Sequence, residues 1–410
     1  MKIESCVCGR VHECPIDAVH IAGDALKKLA ALCRPYQRIL LVADRNTWEA
    51  CGCRAQAALE GKARSLILTG GEAVIVPDEN QIARIAQALD ADTDLILGVG
   101  SGVINDLCKH VSFERSLPYM ILATAPSMDG YASSGAALIL GGMKVTLPAR
   151  PPKAILADPA VLKDAPMDMI RAGWGDIVGK FSCLRDWRLA ALLREEYFCP
   201  TIHDWVLDIA RRVQALAPGL LAREESAVAA LMQALVDVGA AMSYAGNSRP
   251  ASGSEHHLSH FFEITGLVHH APYLPHGIDV LYSSVVTAAL CRRMAQGNPQ
   301  YRAFDRGAWE AGVRRVYGGA ADGVIALQDR LGWHGKDESA AVLARWEEAK
   351  KLLGEAPGEE DFRSMAEKIG LPMDDFTSLY GEEKIADAVR YAMDLKDRYT
   401  CLWLYNDYFA

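Results

Sequence analysis

Through the first 165 positions, short runs of β-branched and leucine residues alternate with helix-like stretches; beyond about residue 166 the strand signal fades and long amphipathic segments take over. Apolar runs of about five residues suit strands buried on both faces, and their alternation with helices predicts a parallel sheet covered by helices. Strands are expected at 38–43, 65–68, 73–76, 95–99 and 119–123, and helices at 24–33, 47–59, 79–89 and 103–111. Residues 137–147 read as a β-hairpin whose tight turn is Gly141-Gly142. Further on, 202–216, 225–242 and 384–396 show helical periodicity. The expected organisation is an α/β domain over 1–165 and an all-α domain over 166–410, with Gly/Pro punctuation at 147–152 and 164–166 near the junction.

On this frame the histidines stand out, because six of the chain's eleven fall between His256 and His276. His256 and His260 are one helical turn apart, so their imidazoles share a face, opposite the apolar stripe of Leu258, Phe261 and Phe262. His276 follows in Pro275-His-Gly. Imidazoles ligate zinc, nickel or iron, and a catalytic metal usually takes three protein ligands and keeps one position open. A carboxylate on another helix would complete the set. Asp176 fits, lying opposite the core stripe Trp174, Ile177, Val178 and Phe181, but it also fits a solvated i,i+4 pair with Lys180.

The run Leu95-Ile-Leu-Gly-Val-Gly-Ser-Gly leads from a strand into a helix, with Gly98, Gly100 and Gly102 permitting close approach of backbone to a phosphate. The spacing is Gly-x-Gly-x-Gly, not Gly-x-Gly-x-x-Gly, and a tight strand-to-helix turn accounts for it nearly as well. Asp44 ends a strand where a carboxylate binds a ribose diol, or caps the helix that follows. Thr124 and Ser127 fall at the same carboxyl edge, and Asp129-Gly130 is either functional or a plain turn.

Composition narrows the classes. A net charge of −9 works against a broad nucleic-acid or anionic-membrane surface, and no run reaches the ~18 apolar residues of a membrane span. Eleven cysteines without an export signal read as free thiols in a cytoplasmic protein. Cys6-Val-Cys8 with His12 and Cys14 poses a zinc question, although Cys-x-Cys is not the usual knuckle spacing.

Five blocks in order carry a resemblance: Gly98-x-Gly-Ser-Gly-x-x-Asn-Asp, Thr124-Ala-Pro-Ser-Met-Asp-Gly-Tyr-Ala-Ser, Gly173-x-Gly-Asp, Arg249-Pro-Ala-Ser-Gly-Ser-Glu-His-x-x-Ser-His and Pro275-His-Gly. Together they resemble the glycerol-1-phosphate dehydrogenase family, bacterial type, within the superfamily of iron-type alcohol dehydrogenases, glycerol dehydrogenases and dehydroquinate synthases. The resemblance implies a Rossmann-like nucleotide-binding domain followed by a helical one. It implies zinc or nickel held by Asp176, His256 and His276, and substrate contacts from His260, Asp129 and Asp176, with His260 and Asp129 catalytic. Cofactor contacts fall on Asp44, Gly100, Ser101, Gly102, Asn105, Asp106, Thr124, Ser127 and Ser133, for NAD with NADP as the alternative. The implied reaction is reversible reduction of dihydroxyacetone phosphate to sn-glycerol 1-phosphate for phospholipid metabolism, in a homodimer. His257 departs from the pattern as a competing imidazole, and Arg249 holds either phosphate or a salt bridge. The rivals are a glycerol or other polyol dehydrogenase and a dehydroquinate-synthase-like lyase. The lyase expects more Lys and Arg near the metal than the single one in 249–260.

Overall fold

The apolar runs of the first half fold into a six-stranded, all-parallel sheet. The computed structural model describes residues 2–70, 75–141, 143–355 and 357–410. In chain order the described strands are β1 (Lys2–Ile3), β2 (His12–Glu13), β3 (Ala18–Ile21), β4 (Ile39–Asp44), β5 (Ala63–Leu68), β6 (Leu95–Gly100), β7 (Tyr119–Ala123), β8 (Gly135–Leu140), β9 (Met143–Pro148) and β10 (Ala154–Ala157). The sheet runs β3-β10-β7-β6-β4-β5. Its central members β4, β6 and β7 are buried almost end to end, as uninterrupted apolar strands between helices should be. From β4 the chain steps to β5 on one side and returns to β6 on the other. The order therefore reverses between β4 and β6, the kind of crevice at which open parallel sheets bind ligands.

Several expectations shift. The strand expected at 73–76 lies partly outside the described residues, and Ile75 and Val76 are in no strand. The helix expected at 47–59 is broken into a π-helical turn, Trp48–Gly52, and the helix Cys53–Ala58. Gly52 sits beneath the Trp48 indole, where a Cβ would lie 2.8 Å from the ring. The hairpin forms from β8 and β9 with Leu138 opposite Val145, and Gly141 turns at φ +59°; Gly142 lies outside the described residues.

The chain divides into two compact units, Met1–Trp174 with Ala215–Asn247, and Gly175–Gln214 with Ser248–Ala410. The first contains the sheet and the helix Glu225–Ala245, whose apolar side chains are largely buried although its length and composition would also suit a membrane span. Gly239 on this helix admits the short helix Asp129–Ala132, since a Cβ there would lie 2.6 Å from the Asp129 carbonyl. Ser243 Oγ donates to Ala132 O at 2.8 Å.

Helices dominate the second unit, chiefly Lys180–Arg194, Ser254–His269, His276–Ala295 and Cys401–Tyr408. One buried carboxylate organises two of their starts: Asp186 accepts from Ser254 N at 2.7 Å and from Cys401 N at 2.9 Å. Each of those N–H groups would otherwise be an orphan donor at a helix N-terminus.

Candidate metal centre

Two glycines let Asp176 reach its partners. It lies near the end of helix Met167–Val178, flanked by Gly175 and followed by Gly179. A Cβ on Gly175 would lie 2.4 Å from Gly277 O, and one on Gly179 would lie 2.4 Å from Val280 Cγ1. Small residues at both positions let this segment pack directly on the helix His276–Ala295, whose first residue is His276.

Asp176, His256 and His276 each offer a ligand atom, and these atoms lie within 4.8 Å of one another. His256 Nε2 is 3.4 Å from Asp176 Oδ1. The rings of His256 and His276 are 5.0 Å apart, centre to centre, and His260 lies 6.2 Å from the first and 5.3 Å from the second. Lys180 Nζ donates to Asp176 Oδ1 at 2.6 Å and to Ala251 O at 2.9 Å. A solvated i,i+4 pair is the alternative to a ligand role for Asp176, and it does not hold, because both side chains are fully buried. The polar side of the helix turns toward other polar groups. Burial alone would raise the Asp176 carboxyl, but Lys180, then His256 and His276, outweigh it and hold it well below the usual carboxylate range.

Residues not singled out from the sequence aim the imidazoles. Glu255 Oε1 lies 2.6 Å from His256 Nδ1 and also accepts from Gly253 N at 2.9 Å. A carboxylate at Nδ1 fixes the proton there and presents Nε2 as the ligand. Ser259 Oγ is 3.1 Å from His276 Nδ1 and donates to His276 O at 3.2 Å. With its hydroxyl proton so used, Ser259 accepts from Nδ1–H and leaves Nε2 of His276 bare as well. Both lie within the Glu255-His-x-x-Ser259-His block that carries the resemblance, which assigns neither a role; Ser259 also stands three residues after His256, near the same helix face.

The remaining histidines separate cleanly. His257 is fully buried with no hydrogen bond to either ring nitrogen, and burial, then Lys396, Arg398 and Arg249, hold it well below its ordinary pKa. It is not among the grouped ligands. His269 bonds Val316 O at 2.9 Å and His270 closes its helix at φ +52°, so both serve the helix end. Arg249 pairs with Glu196 and donates to Tyr399 O at 2.7 Å, which favours the salt bridge over a phosphate contact.

In the first unit, Gly100 is required by packing, since a Cβ would lie 2.6 Å from Ile104; Ser101 and Gly102 open the helix Gly102–Glu114 and are partly exposed. Asp44 caps its helix, accepting from Thr47 N at 2.8 Å. Asn105 accepts from the Tyr119 hydroxyl at 2.7 Å and donates to Asp106 at 2.8 Å, while Asp106 accepts from Ala137 N at 3.2 Å. Asp106 thus braces the hairpin, and Asn105 ties Asp106 to β7. Unforeseen was Lys109, fully buried, which donates to Gly130 O at 2.6 Å, Ser133 Oγ at 3.2 Å and Gly135 O at 3.0 Å. It fixes the loop that carries Asp129 and Ser133. Thr124 follows β7, its N–H bonded to Gly100 O at 3.1 Å, and Ser127 hydrogen-bonds Tyr131.

The profile of the family described as iron-containing alcohol dehydrogenase matches residues 20–166. Over the longer chain, similarity is to proteins named glycerol-1-phosphate dehydrogenase [NAD(P)+]. That of Bacillus velezensis is 32% identical over 378 residues, 90% of this chain and 85% of its own. That of Bacillus subtilis is 31% identical over 375 residues, 90% and 86%. Among solved structures, sulfoacetaldehyde reductase from Bifidobacterium kashiwanohense in complex with NAD+ superposes with TM-score 0.62 at 15% identity, covering 97% of this chain and 93% of that one. A probable glycerol dehydrogenase from Sinorhizobium meliloti gives 0.54 at 20% identity, covering 86% and 95%. At these identities the structures establish the shared fold.

Proposed function

Because the chain belongs to the glycerol-1-phosphate dehydrogenase family, we propose that it reduces the ketone of dihydroxyacetone phosphate to sn-glycerol 1-phosphate, reversibly, with NAD(P)H as donor and one divalent metal at Asp176, His256 and His276. The convergence of these three ligand atoms carries the reading. One carboxylate oxygen and two imidazole nitrogens suit zinc or nickel, and three protein ligands leave a position for substrate. When bound, the metal supplies polarisation of the carbonyl and the nicotinamide supplies the hydride.

The chain's own residues do the rest. Lys180 keeps Asp176 anionic and oriented. Glu255 and Ser259 hold Nδ1 of the two imidazoles, so that Nε2 of each would be free to ligate a metal when one is bound. His260, the third ring of the cluster, delivers the proton to the substrate oxygen, a task for which imidazole is suited near neutral pH. On the nucleotide side, Asp44 at the end of β4 and the Gly100–Ser101–Gly102 turn after β6 flank the point where strand order reverses. That common location supports cofactor binding there, with Thr124, Ser127 and Ser133 nearby in the chain and Asp129 contacting substrate.

The test is direct. Purified protein given Zn²⁺ or Ni²⁺ should oxidise NADH on addition of dihydroxyacetone phosphate, and EDTA should abolish the turnover. Turnover of glycerol with none of the phosphate ester would overturn the substrate assignment in favour of a polyol dehydrogenase.

A further inference from the structure

A second cluster of metal-type ligands lies in the first unit, built from the amino-terminal hairpin. β1 and β2 pair with Lys2 opposite Glu13 and Ile3 opposite His12, so the intervening chain must double back. The reversal is made at Cys6–Gly9, where Gly9 N bonds Cys6 O at 2.9 Å and Gly9 takes φ +78°, a conformation that glycine adopts readily. Val7 is 83% exposed while Cys6 and Cys8 on either side are half-buried. The loop thus turns its apolar side chain outward and shields two thiols.

Those thiols meet His12. Cys8 Sγ is 3.3 Å from His12 Nε2, and the ligand atoms of Cys6, Cys8 and His12 all lie within 4.8 Å of one another. His12 is 1% exposed, and its Nδ1 lies 2.9 Å from Tyr244 O on the helix Glu225–Ala245. A carbonyl can only accept, so Nδ1 carries the proton and Nε2 faces the sulfurs as a lone pair. A backbone carbonyl on the far nitrogen is also what orients metal-bound histidines. Cys14 stands apart: its thiol bonds Ser243 and burial pushes it up.

We propose that Cys6, Cys8 and His12 hold a zinc ion, distinct from the catalytic metal, which ties the amino-terminal hairpin to the helix Glu225–Ala245. Two sulfurs and one imidazole form a soft set that selects zinc over magnesium or calcium. A water or a further thiolate completes the tetrahedron. Binding releases the two thiol protons to solvent, and both sulfurs remain in the reduced state. The role is structural, since the ion would connect a segment with little core of its own to a buried helix.

Cobalt(II) substitution of the full chain under reducing conditions tests this, because thiolate ligation gives an intense near-ultraviolet charge-transfer band that an oxygen- and nitrogen-ligated site lacks. The parent protein and Asp176→Ala/His276→Ala should both show the band, and Cys6→Ser/Cys8→Ser should lose it. Elemental analysis of zinc-loaded protein should find one equivalent fewer in Cys6→Ser/Cys8→Ser than in the parent, with NADH oxidation on dihydroxyacetone phosphate retained. His12→Ala, which keeps both thiols, should weaken zinc binding at least about tenfold. Absence of the band from the parent, or equal zinc in the parent and the double-serine variant, would overturn the proposal. Neither result would touch the catalytic assignment, which is read from Asp176 and His276.

Discussion

Lys180 Nζ lies 2.6 Å from Asp176 Oδ1, and neither side chain is exposed to solvent. Without a metal, this ammonium is the nearest compensation for the carboxylate. Lys180→Met should therefore destabilise chelated protein by about 3–5 kcal/mol, the usual cost of leaving a buried charge unpaired. With zinc added the deficit should shrink, because a divalent cation takes over the compensation. Thermal unfolding with EDTA and with zinc measures both; an equal loss in the two conditions would show that the lysine serves packing alone.

Glu255 and Ser259 support the ligand imidazoles unequally. A carboxylate binds Nδ1–H more strongly than a hydroxyl does. Glu255→Gln should weaken metal binding by about 10- to 100-fold and Ser259→Ala by about tenfold or less. Competition with a calibrated chelator gives the order, and the reverse ranking would contradict the orienting roles assigned here.

Gly175→Ala places a methyl group 2.4 Å from Gly277 O, where backbone must move. The segment carrying Asp176 should shift from His276, with a stability loss of about 2–4 kcal/mol and reduced metal occupancy. Gly23→Ala meets nothing within 4 Å and should change neither. Paired denaturation curves and metal analysis check both variants.

Asp407 supplies a pH dependence away from the site. Burial pushes its carboxyl up to about 6, against the opposing charges of His334, Arg194 and Arg390. The folded state thus holds this proton more tightly than the unfolded chain, whose carboxyl titrates near about 4. The resulting stability is fully present below about pH 4 and is lost as pH rises through about 6. Asp407→Asn should gain about 1–2 kcal/mol over the parent at pH 7.5, moderated because the side chain is partly exposed, and nothing at pH 4. Urea titrations at the two pH values decide it; an equal gain at both would point to a cause other than titration.

The central strands were legible because β4, β6 and β7 are unbroken apolar runs, a pattern that double burial imposes. β3 and β10, four residues each, were not anticipated: Ala18-Val-His-Ile and Ala154-Ile-Leu-Ala are too short to separate from loop by periodicity. At the candidate site, helical spacing placed His256 and His260 on one face, whereas the grouping of His256 with Asp176 and His276 followed only from the resemblance. The wheel that set Asp176 and Lys180 opposite the apolar stripe could not distinguish water from another helix's polar groups. Lys109 was hidden for the same reason, since a lysine reads as surface until backbone carbonyls are found around its ammonium.

The helix Glu225–Ala245 belongs to the first unit, yet the ribosome reaches it only after making the excursion Gly175–Gln214. That unit cannot finish folding co-translationally until residues near Asn247 have emerged, with part of its neighbour already synthesised. A gene fragment ending at Trp174 would omit the surface on which Asp129 and Ala132 rest, so a cut at that point leaves the sheet without part of its own unit.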